Sequence, residues 1–321
     1  MKAIVIEHHG GPEVLAMREL PLPEPKPGEI RIHIKAFGVN RAEIHMREGH
    51  WGEVSKVTGI ECVGVVDADP SGKLRRGQTV AAVVGGMGRS FPGSYAEYTC
   101  VPMSSVFVLE TKLSWPELAA IPESYSTAWG ALFDNMALEP HHTVLIRGAT
   151  SALGQAAVSI ASEYGATVLA TTRRRDRVKS LELLGASRVL IDDGALSGEI
   201  RGIDGVLDIV GNRVLRDSLR MLKKNGTLCE VGFMGGAEPV ENFNPLLDMP
   251  SGVDLRFYAT GLVLGTPEFP LADIPMQRIV DKVSGGAYKT KPARVFPFEA
   301  IQDAHRLMES DKAGGKIVVT V

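Results

Sequence analysis

The stretch Val144–Ala157, VLIRGATSALGQAA, has the residue types that bind a dinucleotide. It predicts a buried strand that runs through a turn of small residues into a helix. A helix N-terminus exposes unpaired N–H groups and a partial positive charge, which suit a pyrophosphate. Such turns usually carry three glycines, and this one has Ala149, Ser151 and Gly154 instead. The predicted cofactor contacts of this turn are Ala149, Ser151, Ala152, Leu153 and Gly154. The alternative is an ordinary strand-to-helix connection.

The segment after the next predicted strand, TTRRRDRVK at residues 171–179, indicates which dinucleotide binds. A cofactor with a free ribose 2′-hydroxyl needs a carboxylate acceptor at this place. The segment instead offers hydrogen-bond donors, and Asp176 is its only carboxylate. A donor-rich loop fits a 2′-phosphate, so we predict NADP(H) over NAD(H). The alternative is a solvated basic helix start, but positive charge there opposes the helix dipole.

Composition limits the function classes. The chain has 321 residues, 44% hydrophobic and 23% charged, which is ordinary for a globular protein and long enough for two domains. A net charge of −3 gives no reason to expect nucleic-acid or membrane binding. No apolar run is long enough to span a bilayer. Cys62, Cys100 and Cys229 are too scattered for a disulfide framework or a zinc cluster, so we expect a reducing cytoplasm.

The pattern of elements changes along the chain. The first hundred residues alternate in period two, as in EIRIHIKAFGV, and predict an antiparallel barrel or sandwich. A helical pattern begins at SWPELAAIPESYSTAWGALFD, where Ser114 and Glu117 form a capping box. From Thr143 onward, short apolar strands alternate with helical segments, which predicts a parallel sheet. The segment DLRFYATGLVLG is expected to form its edge strand, and GKIVVTV predicts a closing strand.

Together these features resemble the medium-chain dehydrogenase/reductase superfamily, in particular its zinc-independent quinone oxidoreductase branch. The resemblance rests on GVNRAEIHMREG, VTGIECVGVV, GSYAEY, SYSTAWGAL, GATSALGQAA and GGKIVVTV, in this order. It implies an α/β Rossmann domain with a parallel sheet, residues 122–263, inserted into a β-rich GroES-like catalytic domain, residues 1–121 plus 264–321.

The same resemblance implies that the chain binds no catalytic metal. Zinc alcohol dehydrogenases of the superfamily carry cysteine at the position of Asn40, histidine at that of Ile60 and a second cysteine at that of Glu123. A catalytic Zn²⁺ needs about three protein ligands, and one carboxylate does not supply them. We therefore expect no metal site.

Without a metal, hydrogen bonds must polarise the substrate and a side chain or water must deliver the proton. The resemblance implies that Asn40 lies near the nicotinamide, where its amide would donate to a carbonyl oxygen or hold a water. His45 is the candidate proton shuttle. The alternative for His45 is a histidine on a surface loop. Trp51 and Tyr125 are expected to line the substrate pocket.

The remaining predicted cofactor contacts also follow from the resemblance. Thr127 matches a threonine on the nicotinamide side, and Phe233 and Met234 match a loop that borders this ring. The positions matching contacts to the adenosine 2′-phosphate are Thr172, Arg173 and Lys179.

The predicted function is an NADPH-dependent oxidoreductase that transfers hydride to a quinone or an activated C=C bond. The alternatives are a specialised enoyl-thioester reductase and a non-catalytic NADPH-binding sensor or structural protein. We expect a homodimer joined through the apolar edge strand, since exposed edges invite pairing. A C-terminal helix that covers this edge would instead leave a monomer.

Overall fold

A computed structural model describes all residues, Met1–Val321. The chain divides into two compact units. Unit 1 comprises Met1–Glu123, Thr260–Gly285 and Thr290–Val321, and unit 2 comprises Ser124–Ala259 and Gly286–Lys289. The sequence analysis placed the corresponding boundaries after residues 121 and 263. All three cysteines are free, and none of the helices has the length and apolar character needed to cross a membrane.

Fifteen strands and ten α-helices make up the regular structure. The strands are β1 (Lys2–Ile6), β2 (Leu15–Glu19), β3 (Glu29–Val39), β4 (Glu61–Ala68), β5 (Thr79–Val83), β6 (Tyr98–Pro102), β7 (Val106–Val108), β8 (Thr143–Arg147), β9 (Thr167–Thr172), β10 (Arg188–Ile191), β11 (Ile203–Asp208), β12 (Leu222–Glu230), β13 (Asp254–Phe257), β14 (Arg294–Pro297) and β15 (Ile317–Thr320). The helices are α1 (Arg41–Glu48), α2 (Trp115–Ala119), α3 (Pro122–Trp129), α4 (Ala152–Tyr164), α5 (Val178–Leu184), α6 (Leu215–Arg220), α7 (Pro245–Asp248), α8 (Thr260–Val263), α9 (Met276–Ser284) and α10 (Ile301–Glu309).

Unit 1 is built on a seven-stranded sheet in the order β14-β15-β3-β4-β5-β7, with β6 also paired to β3. All pairs in it except β14 with β15 are antiparallel. The long strand β3 alternates as its sequence predicts, since Ile30, Ile32 and Ile34 are fully buried. The register Val39–Ile317 joins the end of β3 to the start of β15, which brings the C-terminal segment beside Asn40.

Unit 2 contains a six-stranded sheet in the order β10-β9-β8-β11-β12-β13, and every neighbouring pair is parallel. The prediction of a parallel sheet is therefore confirmed. Apolar side chains such as Leu145, Val206 and Leu228 fill its core. Because parallel strands present their carboxyl ends at one edge of the sheet, the turns after β8, β9, β11 and β12 lie together there.

The structure divides one predicted segment and shortens another. The helical pattern that starts at Ser114 forms two helices and a following π-helical turn, because Pro122 lacks the N–H that would continue α2 and begins α3 instead. The predicted capping box of Ser114 and Glu117 is present. The segment 254–265 is an edge strand only over Asp254–Phe257, and residues from Thr260 form the short helix α8.

Candidate active site

The turn between β8 and α4 in unit 2 has the close packing that a dinucleotide turn needs. Gly148 has φ of 86°, in the left-handed region that favours glycine. A Cβ atom on Gly154 would lie 2.5 Å from the carbonyl oxygen of Gly148 and 2.6 Å from the Cα of Ala149. Both are backbone atoms that cannot move aside. Gly154 therefore permits α4 to begin directly against the end of β8, as the third glycine of the usual motif does.

Ser151 is the N-cap of α4, and its hydroxyl is used inside the turn. Its Oγ accepts from the N–H of Gly154 at 3.0 Å and donates to the carbonyl oxygen of Gly148 at 2.9 Å. The next amides, those of Ala152 and Leu153, belong to the first helical turn, where N–H groups have no partner within the helix. The capacity of this turn to bind an anion therefore lies in the backbone amides and the helix dipole more than in the serine hydroxyl.

The loop after β9 presents positive charge at the same end of the sheet. Thr172, the last residue of β9, is buried, and its Oγ1 accepts from the N–H of Arg174 at 3.1 Å. Arg174 binds Asp176 through two hydrogen bonds of 3.0 and 2.6 Å, and this lowers the pKa of Asp176. The only carboxylate of the loop thus has a cationic partner beside it. Arg173 and Lys179 are exposed, and Lys179 lies 3.4 Å from Glu182.

A buried arginine that the sequence analysis did not single out ends β8. Arg147 has no solvent exposure and binds both carboxylate oxygens of Asp192, at 2.8 and 2.9 Å. It also lies 2.8 Å from Asp217 and donates to the hydroxyl of Ser218 at 2.9 Å. Asp192 follows β10, where it would otherwise be an available acceptor at this edge of the sheet. Its engagement by Arg147 makes this carboxylate unavailable as an acceptor beside the loop after β9.

Two carboxyl groups continue this row at the ends of the next strands. The parallel register places Asp208 of β11 beside Arg147 on one side and Glu230 of β12 on the other. Asp208 accepts from Ser218 at 2.6 Å, and burial raises its pKa. Burial, with the nearby charge of Asp208, raises the pKa of Glu230 to about 7, and its Oε1 has no hydrogen-bond partner. The signal in the sequence was an acidic residue near the end of a predicted strand, Asp208 in GVLDIVG and Glu230 in GTLCEVGF.

In unit 1, Asn40 is engaged at each polar atom. It is the N-cap of α1, and its backbone N–H donates to Glu43 Oε2 at 2.7 Å. Its side-chain Nδ2 donates to Glu61 Oε1 at 3.1 Å and to Glu43 Oε1 at 3.3 Å, while Oδ1 accepts from Lys316 Nζ at 2.6 Å. The predicted donation to a substrate oxygen would require one of these bonds to open.

The partners of Asn40 form a buried ionic cluster. Lys316 is ion-paired with Glu61 and lies 3.7 Å from Glu123. Burial alone would lower the pKa of Lys316, but the carboxylates raise it above its ordinary value. Glu43 is fully buried, and burial raises its pKa to about 7 despite a hydrogen bond of 3.0 Å from the N–H of Ile60. Glu43, Glu61 and Lys316 were not among the predicted site residues. The available signal was a charged residue beside an apolar strand, since Glu61 begins β4 and Lys316 directly precedes β15.

His45 and Trp51 come together at the other end of α1. Gly49 ends the helix in the left-handed conformation, and the N–H of His50 returns to the carbonyl of His45 at 2.9 Å. The rings of His45 and Trp51 are 6.3 Å apart and within 20° of parallel. His45 therefore lies on a helix and not on a surface loop. Burial lowers its pKa, so the imidazole is neutral near pH 7.

Four other predicted site residues lie in unit 2. Tyr125 and Thr127 are buried in α3, and the ring of Tyr125 stacks 5.5 Å from that of Tyr288. Phe233 and Met234 follow β12, and the N–H of Met234 donates to the carbonyl of Ile209 at 3.1 Å. A Cβ on Gly148 would lie 3.8 Å from the sulfur of Met234, so this loop borders the dinucleotide turn.

Comparison with known proteins gives the family. Residues 26–111 match the alcohol dehydrogenase GroES-like domain, and residues 184–319 match the zinc-binding dehydrogenase domain, so together they cover more than half of the chain. The human quinone oxidoreductase is 27% identical over 337 aligned residues, covering 99% of this chain and 97% of that one, and the pig enzyme is 28% identical over the same shares. The chain belongs to the quinone oxidoreductase-like medium-chain dehydrogenases/reductases.

Solved structures agree with this family. An NAD-dependent alcohol dehydrogenase is 26% identical with a TM-score of 0.84 over the full length of both chains. A mycobacterial protein in complex with NADPH has a TM-score of 0.87 over both full chains at 24% identity, which shows the fold alone. A GroES-like domain combined with a Rossmann domain, as the sequence resemblance implies, is thereby confirmed for this medium-chain dehydrogenase/reductase.

The cluster around Asn40 does not fit a catalytic zinc ion, although one matched domain is described as zinc-binding. Its donors are one carboxamide and carboxylates, and the Lys316 ammonium already lies among them. Ile60 carries no ligand atom, and burial raises the pKa of Cys62 to about 12, which keeps its thiol protonated. Outside this cluster, ligand atoms of His45, Glu48 and His50 lie within 4.8 Å of one another, as do those of Glu139, His141 and His142, at largely exposed positions.

The raised pKa of Glu43 predicts how stability depends on pH. The folded state keeps a proton on Glu43 that the unfolded chain releases above its ordinary value of 4.5, so the free energy of unfolding falls as pH rises from about 4.5 through 7. Urea unfolding at several pH values should show a shallower fall for Glu43→Gln, by up to about 1.4 kcal/mol per pH unit. Glu53→Gln, at an exposed position, serves as control. Identical slopes for wild type and Glu43→Gln would contradict this assignment.

Proposed function

We propose that this protein is an NADPH-dependent, metal-independent reductase that transfers hydride to a quinone or an activated C=C bond. The observation that carries the cofactor assignment is the loop after β9, in which Arg174 neutralises the only carboxylate, Asp176. A ribose 2′-hydroxyl finds no free acceptor there, whereas a 2′-phosphate meets several cationic donors. The quinone oxidoreductase relatives support the substrate class.

The residues of unit 2 suit the rest of the cofactor. The close packing of the turn at Gly148 and Gly154 supports a pyrophosphate site at the first amides of α4. Phe233 and Met234 border this turn, which supports their assignment to the nicotinamide side. Thr127, buried in α3, is assigned to the nicotinamide side because it matches the family's threonine there.

The chemistry divides between the cofactor and the chain. The bound nicotinamide supplies the hydride. A neutral His45 has one N–H to donate and one nitrogen to accept, so it holds a substrate oxygen and relays a proton from water. Trp51, stacked beside it, limits the orientations of the imidazole ring and lines the pocket. Asn40 and its ionic cluster fix the start of α1, which carries His45, and Trp51 follows the turn at Gly49 that ends this helix.

A panel of acceptors tests the activity. NADPH consumption should be rapid with quinones or with enones and slow with enoyl thioesters. Rapid turnover of an enoyl thioester with little quinone or enone activity would move the assignment to an enoyl-thioester reductase. Binding of NADPH without consumption in the presence of any acceptor would reject catalysis and favour a sensor or structural protein.

The 2′-phosphate assignment predicts a selective loss. Each charged hydrogen bond contributes about 1.5–3 kcal/mol, so Arg173→Ala and Lys179→Ala should each weaken NADPH binding about tenfold to a hundredfold and leave NADH binding nearly unchanged. Calorimetric titration with both cofactors measures this. Arg188→Ala removes another exposed arginine of unit 2 and should change neither affinity. Equal losses for NADPH and NADH would place the 2′-phosphate elsewhere.

Metal independence predicts that chelators change neither the activity nor the Tm. Protein purified without added metal should contain no stoichiometric zinc by elemental analysis. Zinc added in excess has the exposed group of His45, Glu48 and His50 available, and His50→Gln would abolish that binding. One equivalent of zinc that survives both chelation and His50→Gln would overturn the proposal.

We also propose that two copies pair through β13. This strand is the edge of the parallel sheet, all four of its residues are exposed, and Leu255 and Phe257 present apolar side chains. Its unpaired backbone groups invite a second strand, and the same strand of another copy gives a self-complementary, two-fold contact. Tyr258 belongs to the segment expected to form this edge but is buried, and Leu262 lies in α8 beyond the strand, so neither is the right position to test the edge.

Sedimentation should find a dimer at micromolar concentration, and Phe257→Glu should shift it toward monomer. Phe257 is 58% exposed, and Leu183, at 57%, offers a matched position away from β13. Leu183→Glu should leave the dimer intact. A wild-type monomer at every concentration rejects pairing, and a dimer that tolerates Phe257→Glu rejects this interface.

A further inference from the structure

The Lys316 ammonium lies where three oxygen atoms from separate parts of unit 1 converge. It donates to Asn40 Oδ1 at 2.6 Å, is paired with Glu61 Oε1 and lies 3.7 Å from Glu123 Oε2. The Lys316 side chain is only 3% exposed. Burying a lone ammonium is costly, so a lysine is almost never buried unless it is paired.

The chain makes room for this cation. A Cβ atom on Gly38 would collide with Glu61 Oε1 and with Cε of Lys316, so the ion pair lies directly on the backbone of β3. Glu61 in turn is held on both oxygens, since Oε1 also accepts from Asn40 Nδ2 and Oε2 accepts from the N–H of Glu123 at 2.9 Å. The oxygens that face Lys316 are therefore fixed by the fold as well as by the cation.

The ammonium also determines the orientation of Asn40. An ammonium has hydrogen-bond donors only, so the carboxamide must turn Oδ1 toward Lys316. Nδ2 is then directed to Glu43 and Glu61. An ordinary salt bridge needs one carboxylate, whereas here a neutral carboxamide and two carboxylates surround one positive charge. This is the arrangement of ligands around a bound cation.

We propose that this cluster is a cation-binding site whose cation is supplied by the chain itself, as the Lys316 ammonium. It takes the place that a metal ion would need among these oxygens, and it acts as a positioning residue that holds Asn40 and the start of α1. If Lys316 is shortened, the vacated site should bind a primary alkylammonium ion. The consequence for turnover rests on the proposed reductase activity, but ammonium binding does not.

Chemical rescue tests this site. Lys316→Ala removes the atoms that n-propylammonium supplies, so Lys316→Ala should have a lower Tm that n-propylammonium raises in a concentration-dependent way. Turnover of NADPH should fall about tenfold to a hundredfold, with little change in KM for NADPH, and recover with n-propylammonium. 1-Propanol has the same shape without charge, and tetramethylammonium has charge without N–H donors. Neither should rescue.

The pH dependence of Tm distinguishes an electrostatic role of the Lys316 ammonium from a role in which its side chain only fills space. The positive charge of Lys316 lowers the pKa of Glu43. In Lys316→Ala, the pH dependence of Tm that is due to Glu43 should therefore move to higher pH, and n-propylammonium should return it. Lys223→Ala, which removes a lysine paired with Asp204 in unit 2, is the control and should respond to neither additive.

Lys316→Ala is expected to need n-propylammonium in the buffer if it does not fold without it. Two further variants then provide a test that does not depend on the additive. Lys316→Arg keeps the charge and should retain more stability than Lys316→Met. Equal Tm values for Lys316→Met and wild type, or equal rescue by 1-propanol and n-propylammonium, would overturn the cation site. Since Tm needs no acceptor, a failed acceptor panel with a successful Tm rescue would reject the reductase and leave this site standing.

Discussion

A buried charge must find its counter-charge within the fold, because leaving it unpaired in a low-dielectric interior costs several kcal/mol. Both units are organised around this requirement. In unit 1, Lys316 pairs with Glu61 where β15, β4 and the start of α1 meet. In unit 2, Arg147 pairs with Asp192 at the carboxyl ends of β8 and β10. Each pair joins segments that are distant in sequence. The Lys316 pair thereby fixes the start of α1, and the Arg147 pair fixes the strand ends beside the loop after β9, and the proposed function uses both places.

The two buried ion pairs differ in how many neighbouring polar atoms they leave without a hydrogen-bond partner. Around Asn40, every polar atom has a partner, and the cluster acts as a rigid base for α1. The opposite end of that helix is open, and there His45 and Trp51 are held by the left-handed turn at Gly49. In unit 2, the pairing of Arg147 with Asp192 removes a carboxylate from the edge of the sheet, while the carboxyl group of Glu230 keeps an oxygen without a partner. In each unit, the residues that hold the backbone in place are thus different from the residues whose polar atoms are available for chemistry.

Local patterns in the sequence were sufficient for much of the fold. Period-two alternation identified β3, small residues identified the turn into α4, and Ser114 with Glu117 identified a helix start, because each signal acts within a few residues. The buried ion pairs were beyond this method, since Lys316 and Asn40 are far apart in sequence and meet only through the register of β15 on β3. The family resemblance led to Asn40 as a candidate but could not show that its amide is occupied. The length of the edge strand was overestimated, because an apolar segment does not reveal where pairing with β12 stops.

The pair formed by Arg174 and Asp176 gives the loop after β9 an unusual potential for change. A carboxylate of the kind that a ribose hydroxyl needs is already encoded there, and Arg174 holds it through two hydrogen bonds. Loss of the charge at Arg174 would release that acceptor while the other cations remain in place. The two dinucleotides would then compete for one loop on more equal terms. Under the proposed NADPH assignment, one substitution at this position would therefore narrow the cofactor preference without any rearrangement of the sheet.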